Sequence, residues 1–156
     1  MVKHHLELQI ASASTQIPDL AQFEQWAAVV LADYAEVQEI VIRIVDEDEM
    51  SELNESYRHK VGSTNILSFP FEAHEAITLE INILGDLVLC GPVIEKEAQA
   101  QGKTLEQHWA HIFIHGILHL LGYDHIEDQD AETMEALEIE LLSKLHINNP
   151  YQEQLS

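Results

Sequence analysis

The apolar positions along this chain change period several times, and each change marks an element. Residues 3–10 alternate through His4, Leu6, Leu8 and Ile10, which predicts a strand with one face inward. After Pro18-Asp19 the period lengthens, with Leu20, Phe23, Ala27, Val30, Leu31 and Tyr34 at helical spacing. Residues 38–45, carrying Ile40, Val41, Ile42, Ile44 and Val45, read as a buried strand. A polar helix is expected from Asp46 to His59, with Met50, Leu53 and Tyr57 along one side. Asn65 to Phe69 predicts a short strand stopped by Pro70. Residues 71–79 read as a loop or hairpin tip, and 82–90 as an apolar strand interrupted at Gly85-Asp86.

In the C-terminal half a helix is expected at 92–101, ended by Gly102. Thr104-Leu105-Glu106-Gln107 has the form of a capping box and opens a helix running to about Leu121. That helix is apolar nearly all round, through Trp109, Ile112, Phe113, Ile114, Ile117, Leu118, Leu120 and Leu121, so it belongs at the centre of the fold. A last amphipathic helix spans 128–145 through Met134, Leu137, Leu141, Leu142 and Leu145, and the tail 147–156 is expected to fray. The result is an α+β domain over residues 1–156: a single mixed sheet of about four strands packed by about five helices.

Composition narrows the setting. One cysteine, Cys90, excludes an intramolecular disulfide and fits a reducing, cytoplasmic compartment. Cys90 itself reads as a small buried residue at a strand end. Met1 to His5 leads into an alternating segment, not an apolar one, so no secretory signal is expected, and no apolar run has membrane-spanning length. Acidic residues number 28 against seven basic ones, a net charge of −21. Such a surface repels polyanions, so any nucleic-acid substrate needs a local positive site.

The chemistry is concentrated in the central helix. His115, His119 and His125 stand at offsets 0, 4 and 10, with Gly122 at offset 7. The first two imidazoles lie one helical turn apart on one face. The glycine lets the chain leave the helix so that a short loop can return the third. By composition alone this spacing with its glycine is expected about 0.002 times in such a chain. Three neutral nitrogen ligands leave a fourth position for water, as in a catalytic zinc site. The spacing matches the metzincin peptidase pattern, but Gly116 occupies the position of the peptidase's glutamate base. Glycine costs ~1 kcal/mol against alanine inside a helix, so close approach of another backbone or of substrate is expected at 116. Three imidazoles leave zinc its full charge, which ionises a bound water near neutral pH without that base.

Upstream lie Leu53-Asn54-Glu55-Ser56-Tyr57-Arg58, then Thr64-Asn65-Ile66-Leu67-Ser68-Phe69-Pro70, then Leu84-Gly85-Asp86. With the run from His115 to His125, these segments resemble the YbeY family of bacterial rRNA-maturation endoribonucleases. The resemblance covers roughly residues 40–126. Asn65 departs from it, standing where the family usually has aspartate. The resemblance implies an α+β fold, zinc on His115, His119 and His125, and an active-site role for Arg58. It implies single-stranded RNA as substrate. It also implies a role with the small ribosomal subunit and its proteins: maturing the 3′ end of small-subunit rRNA, and ribosome quality control.

Arginine suits phosphate because its fork matches two oxygens. Arg58 could equally pair with Glu52, Glu55 or a loop acid. Arg43 and Lys60 could join it in one positive cleft. Asp124 could orient a ligand imidazole or cap the following loop or helix. His111, one turn before His115, is a proton shuttle, a group supporting a ligand, or a plain core histidine. Two other functions fit the triad: a different zinc hydrolase, peptidase or esterase, and a non-catalytic ribosome-assembly factor with a structural metal.

Overall fold

The computed structural model describes residues 4–34, 37–71, 82–123, 128–147 and 149–150. In chain order the elements are β1 (His5–Ala11), α1 (Leu20–Val30), β2 (Gln38–Val45), α2 (Glu47–Arg58), β3 (Ile66–Pro70), β4 (Asn82–Cys90), α3 (Gly91–Gln101), α4 (Leu105–Leu120) and α5 (Asp128–Lys144). The strands form one mixed sheet in the order β1-β2-β4-β3. β1 and β4 run parallel to β2, and β3 runs antiparallel to β4 along the sheet edge. This is the expected α+β architecture, with element boundaries close to those the periodicity predicts. Of the readings at the margins, residues 72–79 and most of the tail lie outside the described residues. At the start of that tail, Ile147 packs against the core, and its N–H donates to the Leu142 carbonyl.

Local chemistry explains where helices begin and end. Asp19 and Thr104 cap α1 and α4 by accepting from the backbone N–H three residues on, at 2.9 and 3.2 Å. Gly102, at φ 66°, closes α3 in the left-handed region. Asp46 precedes α2 but does not cap it. Its carboxylate accepts instead from the Ser12 hydroxyl and the Ala13 N–H, tying the end of β1 to α2.

The sheet carries two unequal cores. On one face Ile40, Ile42, Ile44, Leu87 and Leu89 meet Phe23 and Trp26 of α1, Ile94 of α3, most of α4, and Met134, Leu141 and Leu142 of α5. On the other, α2 lays Met50 and Leu53 over Val45, Leu67, Val88 and Cys90. Trp26 belongs to the buried stripe of α1, whereas Leu20 is 38% exposed. β4 is not interrupted at Gly85-Asp86. It bulges there, shifting register between Glu39 and Ile40 of β2. Gly85 sits at φ 149°, and a Cβ would collide with the Phe69 carbonyl and lie 2.8 Å from Leu120. This glycine lets the edge strand and the end of α4 close over the same point.

Candidate active site

The cleft lies where α4 crosses the edge strand β3. Two segments build its outer wall. Along α2, Asn54 is buried and its Nδ2 donates to the Gly62 carbonyl at 2.9 Å. His59 takes the left-handed conformation at φ 57°, and the Lys60 N–H donates back to the Asn54 carbonyl. The chain thereby turns sharply at the end of α2, with Tyr57 exposed but stacked edge-on against Phe69 at 5.1 Å. The upstream motif resolves into parts: Leu53 packs, Asn54 holds the return loop, Tyr57 leans on β3, and Arg58 faces the cleft.

The cleft holds about 480 Å³ and is lined by Arg58 and Lys60, by Thr64, Asn65, Ile66, Ser68 and Pro70, and by His115 and His119. With Asn54 also on its lining, residues up to 65 positions apart in sequence thus meet at one opening. Neither Arg58 nor Lys60 forms a salt bridge among the described residues, so the pairing of Arg58 with Glu52 or Glu55 does not occur. Arg43, by contrast, is no part of the cleft. Its guanidinium is bidentate on Glu49 at 2.8 and 3.1 Å. Lys96 is likewise held by Glu47 at 2.7 Å.

The two described histidines of the triad converge. The Nε2 atoms of His115 and His119 are 3.0 Å apart. The His115 Nδ1 is hydrogen-bonded to the Glu138 carboxylate of α5. A carboxylate only accepts, so Nδ1 carries the proton and Nε2 keeps its lone pair for the cleft. Two imidazole nitrogens side by side, one ring oriented by a buried carboxylate, are donors of the kind a metal ion takes, and are two of the ligands such a site needs. Asp124 and His125 lie outside the described residues, and among the described residues no set of three His, Cys, Asp or Glu side chains could hold one.

Glu138 is the residue the periodicity does not single out. It is 0% exposed, and it also lies 3.8 Å from the Nε2 of His111. Burial pushes the His111 pKa down, against the opposing pull of Glu138. The signal for Glu138 was its place in the α5 stripe, one turn from Met134 and one from Leu142. An acid in an apolar stripe needs a buried partner.

Gly116 faces neither a backbone nor the cleft. A Cβ there would collide with the Ile66 Cδ1 and lie 3.0 Å from the Leu87 Cδ2, so the glycine sets how closely α4 lies on β3 and β4. Its carbonyl accepts from the Ser68 hydroxyl at 3.4 Å. Asp86 lies on the opposite sheet face, in register with Val41 and Phe69, and does not line the cleft. Burial, with Glu7 nearby, raises its pKa.

The family model described as endoribonuclease YbeY matches residues 7–146. The Pseudomonas entomophila protein named endoribonuclease YbeY is 54% identical over 147 residues, covering 94% of this chain and 93% of its own. A solution structure of a Thermotoga maritima protein shares the fold, with a TM-score of 0.57 at 23% identity over 96% of this chain and 98% of that one. With the family model spanning nearly all of the described elements and a relative this similar over more than nine-tenths of both chains, the chain belongs to the endoribonuclease YbeY family.

Proposed function

We propose that this protein is a metal-dependent endoribonuclease that cleaves single-stranded RNA, acting in 3′-end maturation of small-subunit rRNA and in ribosome quality control. The observation that carries this is one cleft lined by Arg58, Lys60, His115 and His119 in a chain of net charge −21. Membership of the family supports the reaction class. The metal is zinc, held by His115, His119 and His125. Zinc bound there would supply a Lewis acid and ionise water near neutral pH.

The chain's own residues do the rest. Arg58 binds two oxygens of the scissile phosphate through its fork and stabilises the charge that develops on them. Lys60 adds a point charge for a neighbouring phosphate. Glu138 keeps His115 in the Nδ1–H tautomer. The acidic remainder of the surface repels RNA elsewhere and attracts basic ribosomal proteins, which favours substrate delivered on the small subunit. The single buried cysteine fits a reducing cytoplasm. No helix among the described residues is long and apolar enough to cross a membrane.

The peptidase reading is disfavoured by Gly116, since a side chain at that position would run into Ile66 and Leu87 instead of reaching water in the cleft. The test is metal analysis of the purified protein combined with cleavage of single-stranded RNA by the protein and by Arg58→Ala. Zinc near one per chain is expected, with cleavage reduced about 100- to 1,000-fold in the variant while the metal is retained. Unchanged cleavage with metal intact would remove Arg58 from the mechanism, and chelator-insensitive cleavage would remove the metal.

A further inference from the structure

One wall of the cleft is neutral and unusually well fixed. The Asn65 Nδ2 donates to both oxygens of Glu97, at 3.2 and 3.4 Å. Glu97 in turn is held by the Nε2 of His108 at 3.0 Å, and His108 is 2% exposed. Burial pushes the Glu97 carboxyl up, but the hydrogen bonds from His108 and Asn65 outweigh it and hold the group below its ordinary range. The main chain of Asn65 is pinned as well, because its carbonyl accepts from the Cys90 N–H at 2.9 Å.

This network settles which way the amide faces. An ionised carboxylate has no proton to give, so the NH2 end must lie on Glu97. The carbonyl oxygen Oδ1 is left for the cleft that Asn65 lines. The cleft therefore offers cations to phosphate from Arg58 and Lys60, and an oriented acceptor from Asn65. An acceptor needs a donor. In an RNA strand whose phosphates occupy the cationic wall, the donor bonded closest to phosphate is the ribose 2′-hydroxyl, since the base is attached on the far side of the sugar.

We propose that Asn65, oriented by Glu97 and His108, is a specificity-determining residue that accepts a hydrogen bond from a ribose 2′-hydroxyl and so distinguishes RNA from DNA at one nucleotide of the bound strand. The proposal rests on the endoribonuclease reading above. Asn65 touches the substrate; Glu97 and His108 act through it as positioning residues.

The test is a scan of short single-stranded RNA substrates carrying one 2′-deoxy substitution at each position in turn. kcat/KM is measured for the protein, Asn65→Ala and Glu97→Gln. The ratio of the all-ribo to the singly deoxy substrate is read on each protein. That ratio does not depend on how much of a preparation is folded. The native protein should show one position, other than the cleaved linkage, where the deoxy sugar costs about three- to tenfold, the worth of one neutral hydrogen bond. Asn65→Ala should erase the penalty at that position alone. Glu97→Gln should shrink it, because glutamine can donate as well as accept and no longer fixes the amide. A penalty that persists in Asn65→Ala, or RNA cleavage by the native protein with no such position, overturns the proposal and leaves the nuclease reading standing. If base analogues and not deoxy sugars lose their penalty in Asn65→Ala, the residue reads bases and the proposal is wrong. If the native protein cleaves no RNA, both readings fall.

Discussion

Glu138→Gln isolates the contribution of a carboxylate that no solvent reaches. Its partner is the Nδ1–H of His115, and glutamine keeps nearly the same shape while still offering a carbonyl oxygen to that proton. What changes is the charge on the acceptor. A hydrogen bond to an ionised group is worth about 1.5–3 kcal/mol and a neutral one about 0.5–1.5, so the substitution weakens the support of His115 by about 1–1.5 kcal/mol. At 1.4 kcal/mol per tenfold, metal affinity should fall about tenfold. Glu138→Ala removes the acceptor altogether and should approach the hundredfold upper end of such effects. Zinc titration of chelator-stripped protein by calorimetry, or competition with a chromophoric chelator, reads the change directly. Melting of the stripped proteins controls for folding, and Glu138→Gln should shift it by no more than a few degrees. Metal affinity within twofold of native in a folded Glu138→Ala would show that His115 needs no orienting carboxylate to bind.

Other consequences follow from particular contacts. Gly116→Ala gains ~1 kcal/mol of helix propensity but overpacks Ile66 and Leu87 at a cost of ~1–3 kcal/mol, so urea denaturation should show net destabilisation. Stabilisation by ~1 kcal/mol would mean that α4 lifts from the sheet freely. Because the Glu97 carboxyl is held below its ordinary value of 4.5, its hydrogen bonds contribute stability above that value and lose it as pH falls through the depressed native one. The acid limb of a stability-versus-pH curve should therefore be shallower in Glu97→Gln, and an identical limb would contradict the assignment. With Arg58 and Lys60 as the phosphate contacts, the logarithm of single-stranded RNA affinity should fall against the logarithm of salt with a slope of about −1.4. A slope of about −5 would indicate a far larger cationic surface.

Much of this protein could be read directly. Strand alternation, helical spacing, Asp19 and Thr104 as caps, and Gly102 as a stop are local effects that act within a few residues, and the elements they predict match the structure closely. The pairing of His115 with His119 on one face is also local, since helical geometry alone places residues four apart side by side. What sequence could not decide were contacts between segments far apart in the chain. Whether Arg58 opens onto the cleft or pairs with a carboxylate depends on where α2 ends relative to β3, and on the turn at His59 that Asn54 braces from Gly62. Arg43 looked equivalent to Arg58 until strand parity carried it to the opposite face and onto Glu49. Glu138 reaches His115, and Glu97 reaches Asn65, only because α5 and α3 pack beside α4 and β3. The reason for Gly116 lies in two side chains 29 and 50 residues away, Leu87 and Ile66. Backbone propensity and periodicity act over a few residues and so are written in the local sequence, whereas the partners of buried polar groups are chosen by packing, which exists once the sheet and its helices have closed together.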